Sequence, residues 1–125
     1  MAGKIIADTI ETGAGADIST SYVVNGSAKA WVQLDGSGTI AIKDDLNISS
    51  ATDLGTGYYT FSITNAFSDS NYCLAASGDN SAQSRCFVHG TITDSSTIFL
   101  QAKRGDTGAF LDKDQLFGIM QGDLA

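Results

Sequence analysis

The sequence predicts an all-β protein, an antiparallel β-sandwich that is jelly-roll-like and carries an extended N-terminal arm. Apolar and polar residues alternate in about eight short segments, and turn signals separate these segments at intervals near ten residues. The turns are rich in Gly, Ser, Thr and Asp, which is ordinary turn chemistry. Thirteen of the fourteen acidic residues are Asp and one is Glu, although helices favour Glu. We therefore predict no helix, and strands that pack as two antiparallel sheets.

Length and charge limit the classes of function. A chain of 125 residues fits one domain, which we divide into an arm at 1–22 and a β-sandwich at 23–125. No apolar run approaches the roughly 20 residues that span a bilayer, and the early Asp8 interrupts any signal-peptide core, so membrane insertion is not expected. A net charge of −7 disfavours nucleic acid, whose phosphates need clustered Lys and Arg, and also an anionic membrane surface.

The arm is predicted to contain a short strand at Lys4–Ile10, followed by the small residues of Gly13–Asp17. It holds too few large apolar residues to be expected to fold on itself. Two interpretations stand side by side: a mobile terminus, or an arm that docks on another chain by adding a strand to a sheet edge. Ile5, Ile6 and Ile10 favour docking, because an apolar cluster on a tail is otherwise a liability.

The clearest β-hairpin follows the arm. Its first strand alternates Ala28, Ala30, Val32 and Leu34 with Lys29, Trp31, Gln33 and Asp35. A turn at Gly36–Gly38 then leads to a β-branched run at Thr39–Lys43, and this spacing predicts the hairpin. We place Trp31 in the core, because aromatic residues supply the largest single burial.

The remaining strands are predicted from the same alternation. They are Tyr58–Ile63, Asn71–Ala76, Arg85–Thr93, Thr97–Lys103 and Leu116–Gln121. In the first of them Tyr59, Phe61 and Ile63 share a face, whereas Tyr58 points the other way. Phe67 is expected to anchor the connection that follows this strand, and the C-terminal residues are expected to be tied down.

No residue set indicates catalysis or a bound metal. The single histidine, His89, lies three residues from Cys86 on one strand, so the two side chains point to opposite faces and cannot form a dyad. Asp112 and Asp114 have oxygen ligands for calcium, but their spacing is that of a solvated turn. One histidine without a CxxC motif disfavours zinc. We therefore expect no enzyme, no cofactor and no metal.

The two cysteines, Cys73 and Cys86, lie on neighbouring predicted strands. The favoured interpretation places both in the core as small hydrophobic residues. The alternative is a disulfide, which requires an oxidising compartment.

One stretch resembles a known family. The motif NGSAKAWV at Asn25–Val32, a GxGT turn at Gly36–Thr39, NISS at Asn47–Ser50, GTGxYTF at Gly55–Phe61 and the pair Asn71-Tyr72 together resemble a module of tail-fibre and minor virion proteins of tailed bacteriophages. The resemblance covers roughly the middle 50 residues, as the spread of these motifs shows. Tyr58 departs from the pattern, which usually has Asp there.

The resemblance implies a non-enzymatic virion structural protein of tail-fibre or knob type. Such a protein is assembled in the bacterial cytoplasm, self-associates as a homotrimer, attaches to other virion proteins through its arm and is displayed toward the host surface. The candidate surface or subunit contacts are Ile5, Ile6, Ile10, Tyr58 and Tyr72.

Three alternatives remain open. One is a capsid decoration protein of the cement or head-fibre kind. Another is a lectin-like module that binds host surface glycan through Tyr58, Tyr72 and the loop Gly78–Ser84. The third is a secreted sandwich with a Cys73–Cys86 bridge, against which the lack of a recognisable signal segment counts.

Overall fold

The computed structural model describes residue 3 and residues 5–79 and 86–125. The predicted loop Gly78–Ser84 lies largely outside these residues, as does Arg85, the predicted start of a strand. In the described part of the chain the elements are β1 Thr9–Glu11, β2 Asp17–Ser19, α1 Thr20–Gly26, β3 Ala28–Asp35, β4 Ala41–Leu46, β5 Ile48–Gly55, β6 Tyr58–Ile63, β7 Cys73–Gly78, β8 Cys86–Ile92, β9 Thr97–Arg104 and β10 Leu116–Gln121.

Two four-stranded antiparallel sheets form the body of the molecule. Sheet 1 has the strand order β4-β3-β10-β7, and sheet 2 has the order β5-β6-β9-β8. The chain passes between the sheets after β4, β6, β7 and β9, so each sheet contains strands from both halves of the chain. The predicted antiparallel sandwich is confirmed; the jelly-roll winding and the extended arm stay predictions.

The core lies between the sheets and follows the predicted alternation. Its fully buried side chains include those of Val32, Leu34, Tyr59, Phe61, Phe67, Ile98, Leu100, Leu116 and Met120. Tyr59, Phe61 and Ile63 share the buried face of β6, as the spacing predicts. Burial of each large apolar side chain contributes about 1.5–3 kcal/mol, so this layer is the main stabilising element.

The expectation of no helix is wrong at α1. The seven residues Thr20–Gly26 are helical although Thr and Val disfavour helices. Local hydrogen bonds explain the helix: the Ser19 hydroxyl accepts from the Ser21 N–H at 3.3 Å, and the Ser27 N–H reaches Val23 O at 3.2 Å. None of its side chains is buried. No helix among residues 5–79 and 86–125 has the length and apolar character to cross a membrane.

The first part of the arm also folds locally. β1 and β2 form a separate two-stranded sheet in which Ile10 lies opposite Ile18. The strand predicted at Lys4–Ile10 is therefore shorter and begins at Thr9; Lys4 itself lies outside the described residues. The hydroxyl of Thr20 donates to Ala7 O at 2.9 Å and joins α1 to the segment before β1. Hydrogen bonds thus give this segment a regular structure although its side chains are not buried. The prediction that it would not fold on itself considered only its few large apolar residues.

Two core assignments require correction. Cys73 is exposed on sheet 1, whereas Cys86 is half-buried and packs against the core, so the prediction for Cys73 is wrong. Both cysteines are free thiols rather than a disulfide. Trp31 is also outside the core, because the buried face of β3 is formed by Ala30, Val32 and Leu34.

The predicted anchoring role of Phe67 is confirmed. Its side chain is 2% exposed and its ring stacks on Tyr72, with centroids 4.0 Å apart. Phe67 also forms a bridge with Leu124, and the Ser68 N–H donates to Asp123 O at 2.8 Å. These contacts hold residues 123–125 against the sandwich, as predicted.

Candidate interaction surfaces

The three isoleucines predicted as contacts come together in the structure. Ile5, Ile6 and Ile10 line one apolar groove of about 470 Å³ with Val23 and Val24 of α1. Ile5 is 94% exposed and Ile6 is 83% exposed. The hairpin and the helix thus present a common apolar surface, which we call the arm groove.

Tyr58 lies on the outer face of sheet 2, opposite the core residues of its strand. Its ring stacks on Phe99 with centroids 5.4 Å apart and lies 6.3 Å from the ring of Phe110. The ammonium of Lys103 sits 4.7 Å above the Phe110 ring. Tyr58 is therefore half-buried in an aromatic cluster on the surface, which agrees with its predicted direction.

Tyr72 is not a surface residue, and its prediction as a contact is wrong. The side chain is 6% exposed because it stacks on Phe67, and its hydroxyl donates to Asp94 O at 2.9 Å. Burial and the nearby Asp94 charge raise the pKa of Tyr72 to about 12. Tyr72 thus stabilises the core and cannot contribute to a glycan site beside Tyr58.

An apolar surface that the sequence reasoning missed covers the outer face of sheet 1. Trp31 on β3 lies opposite Leu46 on β4 and opposite Ile119 on β10, and Ile119 in turn lies opposite Ala75 on β7. These four residues form a row across all four strands, with Phe117 in the neighbouring row. We use the name Trp31 row for the four residues Leu46, Trp31, Ile119 and Ala75. A groove of about 350 Å³ lies over β3, β10 and β7 and is lined by Trp31, Ile119 and Ala75 of this row and by Phe117.

A signal for this surface was present in the sequence. In Leu116–Gln121 large apolar residues occupy both alternating sets, so one set had to face outward. In Ala28–Asp35 the aliphatic set already supplied the core face, which left Trp31 on the other side. The prediction for Trp31 was wrong because it gave more weight to the large size of the side chain than to the alternation along the strand.

The arm leaves the sandwich on this same outer side. The side-chain amide of Gln121 on β10 donates to Gly26 O at 2.9 Å. The Lys29 ammonium donates to Val24 O, and to Ser27 Oγ at 2.6 Å. Because Gln121 and Lys29 both belong to the outward sets of sheet 1, these bonds hold the end of α1 against the outer side of the sheet.

The residues considered for catalysis or metal binding either lie on different faces of their strand or already form hydrogen bonds within the fold. His89 is exposed on the outer face of β8, and Cys86 faces the core from the same strand, where burial raises the pKa of its thiol. Asp112 Oδ1 accepts from the Gly57 N–H and from the Tyr59 hydroxyl, both at 2.7 Å. Among the residues that the structure describes, no group of three or more His, Cys, Asp or Glu side chains is placed to hold a metal ion.

The motifs behind the family resemblance occupy structural positions. Gly36–Thr39 connects β3 to β4, and Gly55–Phe61 contains the β5–β6 turn, where Gly57 has a φ of 65°. Asn47 begins the NISS motif and is the single residue between β4 and β5, with a φ of 62°. These three motifs therefore specify two turns and the crossing between β4 and β5.

The side chain of Asn47 fastens this crossing between the sheets. Its Oδ1 accepts from the Asn65 N–H at 2.7 Å, and its Nδ2 donates to Lys29 O at 3.1 Å and to Asn65 O at 3.0 Å. Lys29 belongs to sheet 1, and Asn65 lies two residues after Ile63, the last residue of β6 in sheet 2. One amide thus links both layers at the point where the chain changes sheets.

No family model, no curated protein and no solved structure matches this chain.

Proposed function

We propose that this chain is a non-enzymatic structural protein of a tailed-bacteriophage virion, of tail-fibre or knob type. The sandwich self-associates and is displayed on the particle. The sequence resemblance implies that the self-associated form is a homotrimer. The arm attaches it to other virion proteins. The alternative is a capsid decoration protein, which would also attach to the particle through the arm.

The observation that carries this proposal is the arm groove. Ile5 and Ile6 are almost fully exposed although they are large and apolar, and they lie beside Val23 and Val24 of α1. Exposed apolar surface of this kind marks interaction sites in soluble proteins. The groove lies on a hairpin and helix outside the two main sheets, so a partner can bind it without disturbing the core.

Co-purification with virus particles tests this proposal. We expect the chain to sediment with density-gradient-purified particles from the culture that produces it, as detected by tryptic peptides such as residues 30–43. The double variant Ile5→Asp, Ile6→Asp is expected to leave the particles, because two charges in the arm groove oppose burial.

Leu54→Asp is the matched control, since Leu54 is 49% exposed on β5 and lies outside the arm. It is expected to remain on the particles. Absence of the wild-type chain from every particle fraction would contradict the virion assignment. Loss of both variants alike would contradict attachment through the arm.

The outer face of sheet 2 favours a second candidate function, glycan binding. Phe87 on β8 is 65% exposed, and Phe110 of the Tyr58 cluster is 47% exposed. Gln101 lies opposite both Tyr58 and His89, so polar side chains adjoin the exposed rings on this face. Exposed aromatic rings beside hydrogen-bonding groups suit sugar rings, which combine an apolar face with hydroxyls.

A glycan array with the wild-type protein and Phe110→Ala tests this candidate. A saturable signal that Phe110→Ala abolishes would support it, and the absence of signal would contradict it. Trp31 fluorescence is an unsuitable reporter here, because Trp31 lies on the outer face of the other sheet.

A further inference from the structure

We infer that the Trp31 row on sheet 1 is the contact surface for a second copy of this chain. The inference rests on the proposed function, which requires self-association, and it names the surface through which the copies meet. The arm groove is then left to other virion proteins.

The composition of the row is that of an interface centre. Leu46 is 46% exposed and Ile119 is 43% exposed, and both flank the indole of Trp31 in register across three neighbouring strands. The buried centres of protein interfaces are enriched in aromatic residues and depleted of charge. Tryptophan is also among the residues that most often carry binding energy at such centres.

The outer face of sheet 2 differs in kind. Polar residues interrupt its apolar ones: Phe99 lies between Thr60 and Thr91. In the neighbouring row, His89 lies opposite Gln101. The Phe99 ring is covered on one side by Tyr58, so part of its apolar area is already buried within the chain. An uncovered apolar row that crosses every strand is therefore a property of sheet 1.

Charge restricts where two copies of this chain can meet. Each chain carries −7, so copies repel one another wherever carboxylates face each other. The Trp31 row itself is uncharged. Along the strands, Lys29 lies at one end of this face and Asp44 at the other, and the Lys29 ammonium donates to carbonyl and hydroxyl oxygens rather than to a carboxylate. Opposite charges at opposite ends of the face allow the Lys29 end of one copy to attract the Asp44 end of another.

The position of the arm agrees with this arrangement. The bonds from Gln121 to Gly26 and from Lys29 to Ser27 place the start of the arm on the outer side of sheet 1. The arm groove itself lies outside the two main sheets, so a second copy bound on the Trp31 row leaves this groove to another partner.

The test is the mass of the intact chain in solution by light scattering across a dilution series. The wild type is expected at a multiple of 13.0 kDa, and Ile119→Glu is expected to fall to 13.0 kDa. Phe87→Glu is the matched control, because it also replaces an exposed apolar side chain by a carboxylate, but on sheet 2. It is expected to keep the wild-type mass. Leu46→Glu, at the edge of the row, repeats the test should Ile119→Glu not fold.

Two local readouts accompany the mass. Cys73 is an exposed thiol on the same face, paired with Gln121, so a maleimide should label it faster in Ile119→Glu than in the wild type. The chain has a single tryptophan, so its emission reports on this row directly and should shift to longer wavelength as the copies separate.

The outcomes are distinguishable. An assembled wild type with a monomeric Ile119→Glu and an assembled Phe87→Glu supports the inference. If Ile119→Glu and Leu46→Glu both keep the wild-type mass, the assignment to sheet 1 is overturned while self-association stands. A wild type at 13.0 kDa at every concentration overturns self-association, and with it the inference, but leaves attachment through the arm to the particle experiment.

Discussion

The hydroxyl of Tyr59 on β6 lies 2.7 Å from Oδ1 of Asp112, which belongs to the segment leading into β10. The same oxygen accepts the Gly57 N–H at 2.7 Å, and the Tyr59 hydroxyl is also 3.0 Å from Gly36 O. Three connections, β3–β4, β5–β6 and β9–β10, therefore meet at one end of the sandwich. Asp112 is exposed, as predicted, and its carboxylate additionally joins these connections through two hydrogen bonds.

Tyr59→Phe is expected to lower the free energy of unfolding by about 1–2 kcal/mol, because it removes a hydrogen bond from a fully buried side chain without changing its packing. Urea denaturation measures the change. Asp114→Asn is the control, since Asp114 is exposed two residues beyond Asp112. An equal loss in both variants would show that the Tyr59–Asp112 contact does not carry the effect.

Gly57 and Gly38 provide a matched pair of alanine substitutions. Both have a positive φ, 65° and 63°, but a Cβ at Gly57 would lie 2.5 Å from Ala102 O, whereas at Gly38 it meets open space. We expect Gly38→Ala to cost about 1–2 kcal/mol from backbone strain alone. Gly57→Ala should cost about 2–5 kcal/mol, because overpacking adds to that strain. Similar midpoints in thermal melts would contradict this difference.

Asp35 makes the stability depend on acid pH. Hydrogen bonds from Ser37 and then from Lys43, which lies 3.0 Å away, lower the pKa of Asp35 to about 2. A lowered folded-state pKa stabilises the protein above the unfolded value near 4, and this contribution is lost as the pH falls toward 2. The melting temperature of Asp35→Asn should therefore fall less steeply from pH 5 to pH 2 than that of the wild type.

Asp17→Asn serves as the control for Asp35, because Asp17 is exposed in the β1–β2 hairpin. Its acid profile should follow the wild type. Asp69, Asp94 and Asp106 also have lowered pKa values, from hydrogen bonds to Asn71, Ser96 and Arg104 respectively, so part of the acid loss should persist in Asp35→Asn. Superimposable profiles for Asp35→Asn and the wild type would rule out the Asp35 contribution.

Tyr72 makes the stability depend on alkaline pH. Its raised pKa of about 12 means that its contribution is present below the unfolded value near 10 and is lost as the pH rises toward 12. The unfolding free energy of the wild type should decline over this interval. Tyr72→Phe should decline less, although burial and Asp112 also raise the pKa of Tyr59 and leave a residual slope. Identical slopes in urea titrations at pH 9 to 12 would contradict this assignment.

Phe67→Ala is expected to destabilise the protein by about 3–5 kcal/mol, since it opens a cavity beside Tyr72 and removes the stacking of the two rings. Phe87→Ala is the matched control, because Phe87 is 65% exposed. Chemical denaturation of both variants measures the difference. A small change in Phe67→Ala would show that the C-terminal residues can repack over the vacancy.

The fold followed from the sequence where one physical signal dominated. Period-two alternation correctly placed Tyr59, Phe61 and Ile63 on one face of a strand, and this face is the buried one because the core needs one apolar face. The same signal failed where it competed with another preference. The size of Trp31 suggested burial although its neighbours already filled the core face, and the low helix propensity of Val23 and Val24 concealed a helix that depends on capping.

The candidate surfaces were less predictable, because they depend on which strands become neighbours. Leu46, Trp31 and Ile119 are far apart in sequence, and the register of three strands brings them into one row. The arm groove joins Ile5 to Val24 through a hairpin and a helix. The burial of Tyr72 was not predicted either. Its ring stacks on Phe67, which lies in a connection between strands where the alternation of residues gives no information.

The crossing at Asn47 bears on how proteins of this kind are recognised from sequence. A single residue at φ 62° whose amide bonds to both layers restricts what can stand there, since few side chains tolerate that backbone conformation and also offer a donor and an acceptor. A motif centred on Asn47-Ile48 therefore identifies a way of turning a corner between two sheets. Searches seeded on it should gather proteins by architecture, while their binding partners diverge on the strand faces that the motif leaves unconstrained.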